Sequence, residues 1–111
     1  MQHPDKPHLI EITARLRQMA AAGDSPIAYS DLGSSLSPPI IPVNLSEFLD
    51  AINRSEHRAG RGLLSTLVVN KETGIPGDGF FGLAEELGRD ITDRRHCWEN
   101  ELRRVYTENA L

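Results

Sequence analysis

The chain has 111 residues, 39% of them hydrophobic and 25% charged, the length and composition of one ordinary globular domain. Sixteen acidic residues against twelve lysines and arginines leave a formal charge of −4, which argues against tight nonspecific nucleic-acid binding by the whole surface. A single cysteine, Cys97, forms no internal disulfide and has no Cys/His cluster near it in sequence, so a structural thiol in a reducing compartment is expected.

Met1 to Pro7 is polar and lacks the apolar run of a signal peptide, and no stretch approaches the roughly 20 apolar residues of a membrane span. Residues 1–7 therefore read as a disordered tail and residues 8–111 as a single domain, cytoplasmic and without a membrane partner. Leu9, Ile12, Leu16, Met19 and Ala20 recur at helical spacing, which predicts an amphipathic helix from His8 to Ala22, stopped by Gly23 and Asp24 ahead of Pro26. Ile27-Ala28-Tyr29 allows one extended step, after which Ser30 is placed to cap a brief helix through Leu36. Pro38, Pro39 and Pro42 lack the amide hydrogen that a helix interior or central strand needs, so Ser37 to Val43 reads as a loop.

Asn44, three residues before Glu47 and just ahead of Leu45, Phe48, Leu49 and Ile52, reads as a variant capping box that opens a second amphipathic helix ending near His57. Leu63 to Val69 is apolar with β-branched enrichment and predicts the main strand. Asn70 to Gly79 is rich in turn formers, so the strand is expected to lead into a hairpin or an extended flap. Phe80, Phe81, Leu83, Ala84 and Leu87 predict a short helix ended by Gly88. Thr92 or Asp93 caps a last helix with Trp98, Leu102, Val105 and Tyr106 on one stripe and Arg94, Arg95, Arg103 and Arg104 largely off it. The expectation is a mostly helical α+β domain, winged-helix-like, with about five helices and a small β-hairpin or flap.

Charge is uneven along the chain. Between Leu45 and Lys71 stand four cations, Arg54, Arg58, Arg61 and Lys71, against Glu47, Asp50 and Glu56, while Glu72 to Thr92 holds five acids and one arginine. A modestly basic face beside an acidic one is therefore possible in this composition. The glycines at 74, 77 and 79 match neither dinucleotide nor P-loop spacing, and Lys71 precedes them, so they read as positions of permissive backbone in a tight flap. His3, His8, His57 and His96 are dispersed with no helical i, i+4 pair, so no metal site is expected. Glu85 and Glu86 are adjacent and diverge by about a hundred degrees on a helix, which is not the geometry of a shared acid/base pair.

Taken in order, Ile27-Ala28-Tyr29-Ser30-Asp31-Leu32, the helix ending near Asn53, Leu67-Val68-Val69-Asn70 and the run from Gly74 through Gly77 and Gly79 to Phe80 resemble the C-terminal winged-helix domain of the O6-alkylguanine alkyltransferases and the alkyltransferase-like proteins. The resemblance covers roughly Thr13 to Gly88 and is one of pattern, so it implies the fold before any activity. Where that family places its alkyl-accepting cysteine, this chain has Ser65, and the proline, histidine and arginine around it are missing. A serine hydroxyl without an activating base does not accept an alkyl group, so no alkyl transfer is expected. Alkyltransferase-like proteins also lack the cysteine and bind damaged DNA with a recognition-helix arginine in place of a flipped base; the matching helix here begins Leu45-Ser46-Glu47-Phe48, with acids at 47 and 50. Together with Trp98 to Tyr106, the same stretch is also similar to a domain of small bacterial proteins of undefined function.

Two functions follow. In the first, a non-catalytic winged helix binds DNA, with Arg54, Arg58 and Arg61 supplying charge, His57 on the same contact face, Asn53 reading a base edge and the flap at Asn70 and Lys71 lying on phosphate. The second makes the same scaffold a protein-interaction or regulatory module that binds a protein partner or itself. No catalytic residue, cofactor or metal is expected in either.

Overall fold

The structure, a computed structural model, describes residues 5–110. Its first helix, α1, spans Lys6–Ala22 and so starts two residues upstream of the expected His8. Asp5 accounts for this, since its carboxylate accepts the His8 amide at 2.9 Å, and Pro7 falls in the first turn, where a missing amide hydrogen costs nothing. Of the expected tail, Lys6 and Pro7 are thus helical, and residues 1–4 lie outside the described residues. Gly23, at φ 70°, adopts the left-handed conformation that closes the helix, with its own amide and that of Asp24 reaching back to Ala20 and Met19.

A two-residue strand, β1 (Ile27–Ala28), runs directly into α2 (Tyr29–Ser35). Ala28 holds the N-cap position, so Ser30 lies inside the helix instead of capping it. The proline-rich loop then folds back on α2: the Ile40 amide donates to the Gly33 carbonyl at 3.0 Å. Helix α3 spans Pro42–Arg58, starting earlier than expected because Pro42 serves the first turn, where its fixed φ is favourable. Asn44 and Glu47 are already helical and form no capping box. The inward stripe of α3 carries Leu45, Phe48, Leu49, Ile52, Asn53 and Glu56.

The largest departure from expectation is at Leu63 to Val69. Leu64–Leu67 is a 3-10 turn, and only Val68–Val69, β2, is extended. An apolar run by itself does not distinguish a buried strand from a buried helical segment. Here side chains take the roles that ladder partners would otherwise fill: the Leu63 amide donates to Glu101 at 3.0 Å, the Ser65 amide to Asn53 at 3.2 Å, and the Trp98 indole to the Thr66 carbonyl at 2.9 Å. Strand β2 pairs with β1 in parallel, Ile27 opposite Val68 and Ala28 opposite Val69. The expected hairpin is replaced by this parallel pair, which requires the long crossover through α2 and α3. After β2, residues 70–77 form a turn in which Asn70 donates to Ile75 and Gly74 to Asn70.

Helix α4 spans Asp78–Glu86, followed by Gly88 at φ 91°, and α5 spans Arg94–Asn109, capped by Asp93, whose carboxylate accepts the His96 amide at 3.1 Å. The mostly helical α+β architecture thus has five α-helices among the described residues and a two-stranded parallel sheet. One apolar cluster joins Ile12 and Leu16 of α1, Leu45 and Ile52 of α3, and Leu64 and Leu67 of the 3-10 turn. A second gathers Leu63, Val69, Phe80, Phe81, Ala84 and Trp98. Each fully buried leucine or phenylalanine contributes about 1.5–3 kcal/mol. The 3-10 turn lies between the clusters and packs on α1, α3 and α5, which is why this short segment is buried on every side.

Candidate functional site

A cavity of about 420 Å³ opens between α2, α3 and the turn before α4. Helix α3 supplies one wall with Ser46, Leu49, Asp50 and Asn53, spaced i, i+3, i+4 and i+7 so that all four face one side. Tyr29 stands on the opposite wall, Ser65 comes from the first turn of the 3-10 segment, and Gly77, Gly79 and Phe80 close the third side. Four separate stretches of sequence meet here.

Asn53 is 1% exposed and Ser65 4% exposed. The Asn53 side-chain amide donates to the Ser65 hydroxyl at 2.6 Å, and its carbonyl oxygen accepts the Ser65 amide. Because Ser65 Oγ is an acceptor in that bond, its own proton is available to another group. On the far wall the Gly77 amide donates to the Tyr29 hydroxyl at 3.0 Å, which again leaves the phenol proton free to donate. Burial raises the Tyr29 pKa, so the phenol stays protonated.

Asp50 is the one carboxylate on this lining. Burial raises its pKa; Arg54 acts in the opposite direction, and Glu86 and Glu47 reinforce the rise. No histidine, cysteine or lysine lines the cavity, and Asp50 is its one titratable carboxylate beside the Ser65 and Tyr29 hydroxyls.

The contact residues expected from sequence are placed differently. Asn53 is turned inward to Ser65. Arg54 is ion-paired with Glu86 of α4, and His57 Nδ1 lies 2.6 Å from the Arg89 guanidinium. Arg61 donates to Glu56, which also receives Arg17 of α1. Asn70 accepts the Glu72 amide at 2.8 Å within its own turn. Arg58 and Lys71 are exposed and take no part in these pairs. At the start of α5, Arg94 is bonded to Asp78 and packs over the Phe81 ring at 4.9 Å, and Arg95 lies over Trp98. The expected basic face is thus largely tied into the fold by intramolecular pairs.

Tyr29, Ser46, Leu49, Asp50 and Phe80 were not expected at a site. The available signal was the polar set Ser46, Asp50 and Asn53 recurring at i, i+4 and i+7 beside the apolar stripe of α3. A second, polar cavity of about 350 Å³ lies at the N-terminal end of α5, where Arg89 pairs with Glu101, Asp90 binds Thr92, and Asn100 lies 3.1 Å from His96. Burial raises the pKa of Cys97 there, which holds it as a thiol. No group of three or more metal-ligating side chains occurs among the described residues, and none of the described helices is long and apolar enough to cross a membrane.

Comparison of the chain with models of protein families, with curated proteins and with solved structures finds no match.

Proposed function

We propose that this chain is a non-catalytic nucleic-acid-binding module that takes a single unstacked base into the cavity between α3 and the turn before α4. The observation that carries the reading is convergence: Tyr29, Ser65, Gly77, Gly79 and Phe80, which lie in the stretches resembling the alkyltransferase-like pattern, all line one cavity. A volume of about 420 Å³ falls in the range of small-ligand sites. Two aromatic walls suit a planar heterocycle, and the free protons of Tyr29 and Ser65 suit its acceptor atoms. Ser65 in place of a reactive thiol fits recognition without alkyl transfer.

Exposed Arg58 and Lys71 supply the contacts to phosphate in this reading, and a site with so few cations favours flexible single strands or disrupted duplex over intact duplex. A single-stranded oligonucleotide carrying 2-aminopurine tests it. Binding should change the emission of the fluorescent base, and affinity should fall several-fold between 50 and 200 mM salt, as about two phosphate contacts require. Absence of binding at low salt overturns the reading.

The second reading, a protein partner, is favoured by Ile41 and Val43, 61% and 72% exposed, the latter also lining the cavity. A partner held by those side chains would bind with little response to salt, which separates the two readings in one titration.

A further inference from the structure

We infer that the cavity selects a base carrying a formal positive charge, with Asp50 as the residue that selects it. The inference rests on the base-binding reading above and adds the chemical class of the base.

Asp50 is the one carboxylate lining a cavity whose other side chains are apolar, aromatic, hydroxylic or, at Asn53, a carboxamide. The cation nearest to it in sequence and space, Arg54, is already bonded to Glu86. Asp50 therefore faces the cavity beside further carboxylates, with its only neighbouring guanidinium shared. A neutral ligand entering this space strips water from the carboxylate and returns nothing for it, which costs binding free energy. A cationic ligand returns a charge-assisted contact. Tyr29 and Phe80 add to that preference, because the faces of aromatic rings attract cations. Carboxylate and aromatic walls together make a receptor for a flat organic cation. Among nucleobases, that description fits one alkylated on a ring nitrogen.

The test uses two single-stranded oligonucleotides of identical sequence, each with one added methyl group, one with 1-methyladenine, which is protonated and cationic at neutral pH, and one with N6-methyladenine, which is neutral. Both are titrated by fluorescence anisotropy against the full chain and against Asp50→Asn, an exposed position where the substitution preserves shape. The charged base is expected to bind at least tenfold more tightly, and Asp50→Asn should bring the two within about twofold while leaving the thermal transition in place. Equal binding of both oligonucleotides overturns charge selection and leaves the base-binding reading standing. Retention of the preference in Asp50→Asn overturns the role of this residue. Failure of both oligonucleotides to bind overturns the base-binding reading and this inference with it.

Discussion

Asn53 of α3 holds Ser65 of the 3-10 turn at two points, its amide nitrogen donating to the hydroxyl at 2.6 Å and its carbonyl accepting the backbone amide at 3.2 Å. One side chain thereby takes over the hydrogen bonds that a strand partner would make, and it fixes the direction in which the serine hydroxyl points. The pair couples the fold to the cavity. Asn53→Ala leaves these two groups without partners in a buried setting, at about 1–3 kcal/mol each. The denaturant midpoint is expected to fall by the equivalent of about 2–6 kcal/mol with an unchanged slope, measured by urea unfolding. A loss below about 0.5 kcal/mol would show that the turn holds itself.

Glu56 is 3% exposed and receives Arg17 from α1 and Arg61 from the segment after α3. The two sides of this cluster are unequal, since the carboxylate is buried and both guanidinium groups reach solvent. Removing the arginines together strands a buried charge, whereas Glu56→Met fills the same volume and lets the arginines turn outward. Arg17→Ala/Arg61→Ala is therefore expected to unfold at lower urea than Glu56→Met. The reverse order would place the importance of the cluster in the carboxylate's own contacts.

At Gly33 a Cβ atom would stand 2.1 Å from the Ile40 carbonyl oxygen, with backbone on both sides of the contact. Neither atom is the end of a flexible side chain, so Gly33→Ala has to move the loop that leads into α3. The expected cost is about 1–3 kcal/mol by thermal unfolding. Gly82→Ala, with open space around its position, serves as the control and should be neutral or slightly stabilising.

His8 links three elements: its ring lies against the Asp5 carboxylate at 2.8 Å, its Nε2 is 3.1 Å from the Pro38 carbonyl, and its ring meets Phe48 edge-on. The Asp5 carboxylate, and then the Pro38 carbonyl, raise the pKa of His8 against the effect of burial, since the protonated ring donates to both. A histidine raised on folding contributes stability that is present below its ordinary value of about 6.5 and lost as pH rises through the folded value. An NMR titration is expected to place the His8 midpoint above the ordinary histidine value of about 6.5, and Asp5→Asn should lower it. Coincident midpoints before and after the substitution would remove Asp5 as the cause.

The helices were legible because each carries its own local signals. The 3.6-residue periodicity of Leu9 to Ala20 marks α1, Gly23 and Gly88 mark turns after helices, and Asp93 is a cap three residues ahead of the amide it binds. Boundaries shifted where a proline acted as a starter and not a stopper, as at Pro7 and Pro42. The two-residue strands were not legible as a pair, because their partners lie forty-one residues apart and the pairing is parallel.

By itself, then, the sequence determined a mostly helical α+β chain and the apolar stripes of α1, α3, α4 and α5, since periodicity and capping depend on residues within one or two turns of each other. Tertiary structure alone decided that Leu64–Leu67 coils instead of extending, because the groups that satisfy its backbone are Asn53, Trp98 and Glu101, brought there from other helices. It decided the site as well. Arg54, Arg61 and His57 meet Glu86, Glu56 and Arg89 within the fold, and Tyr29, Asp50, Ser65 and Phe80 come to one cavity, through contacts that packing creates and that no local pattern encodes.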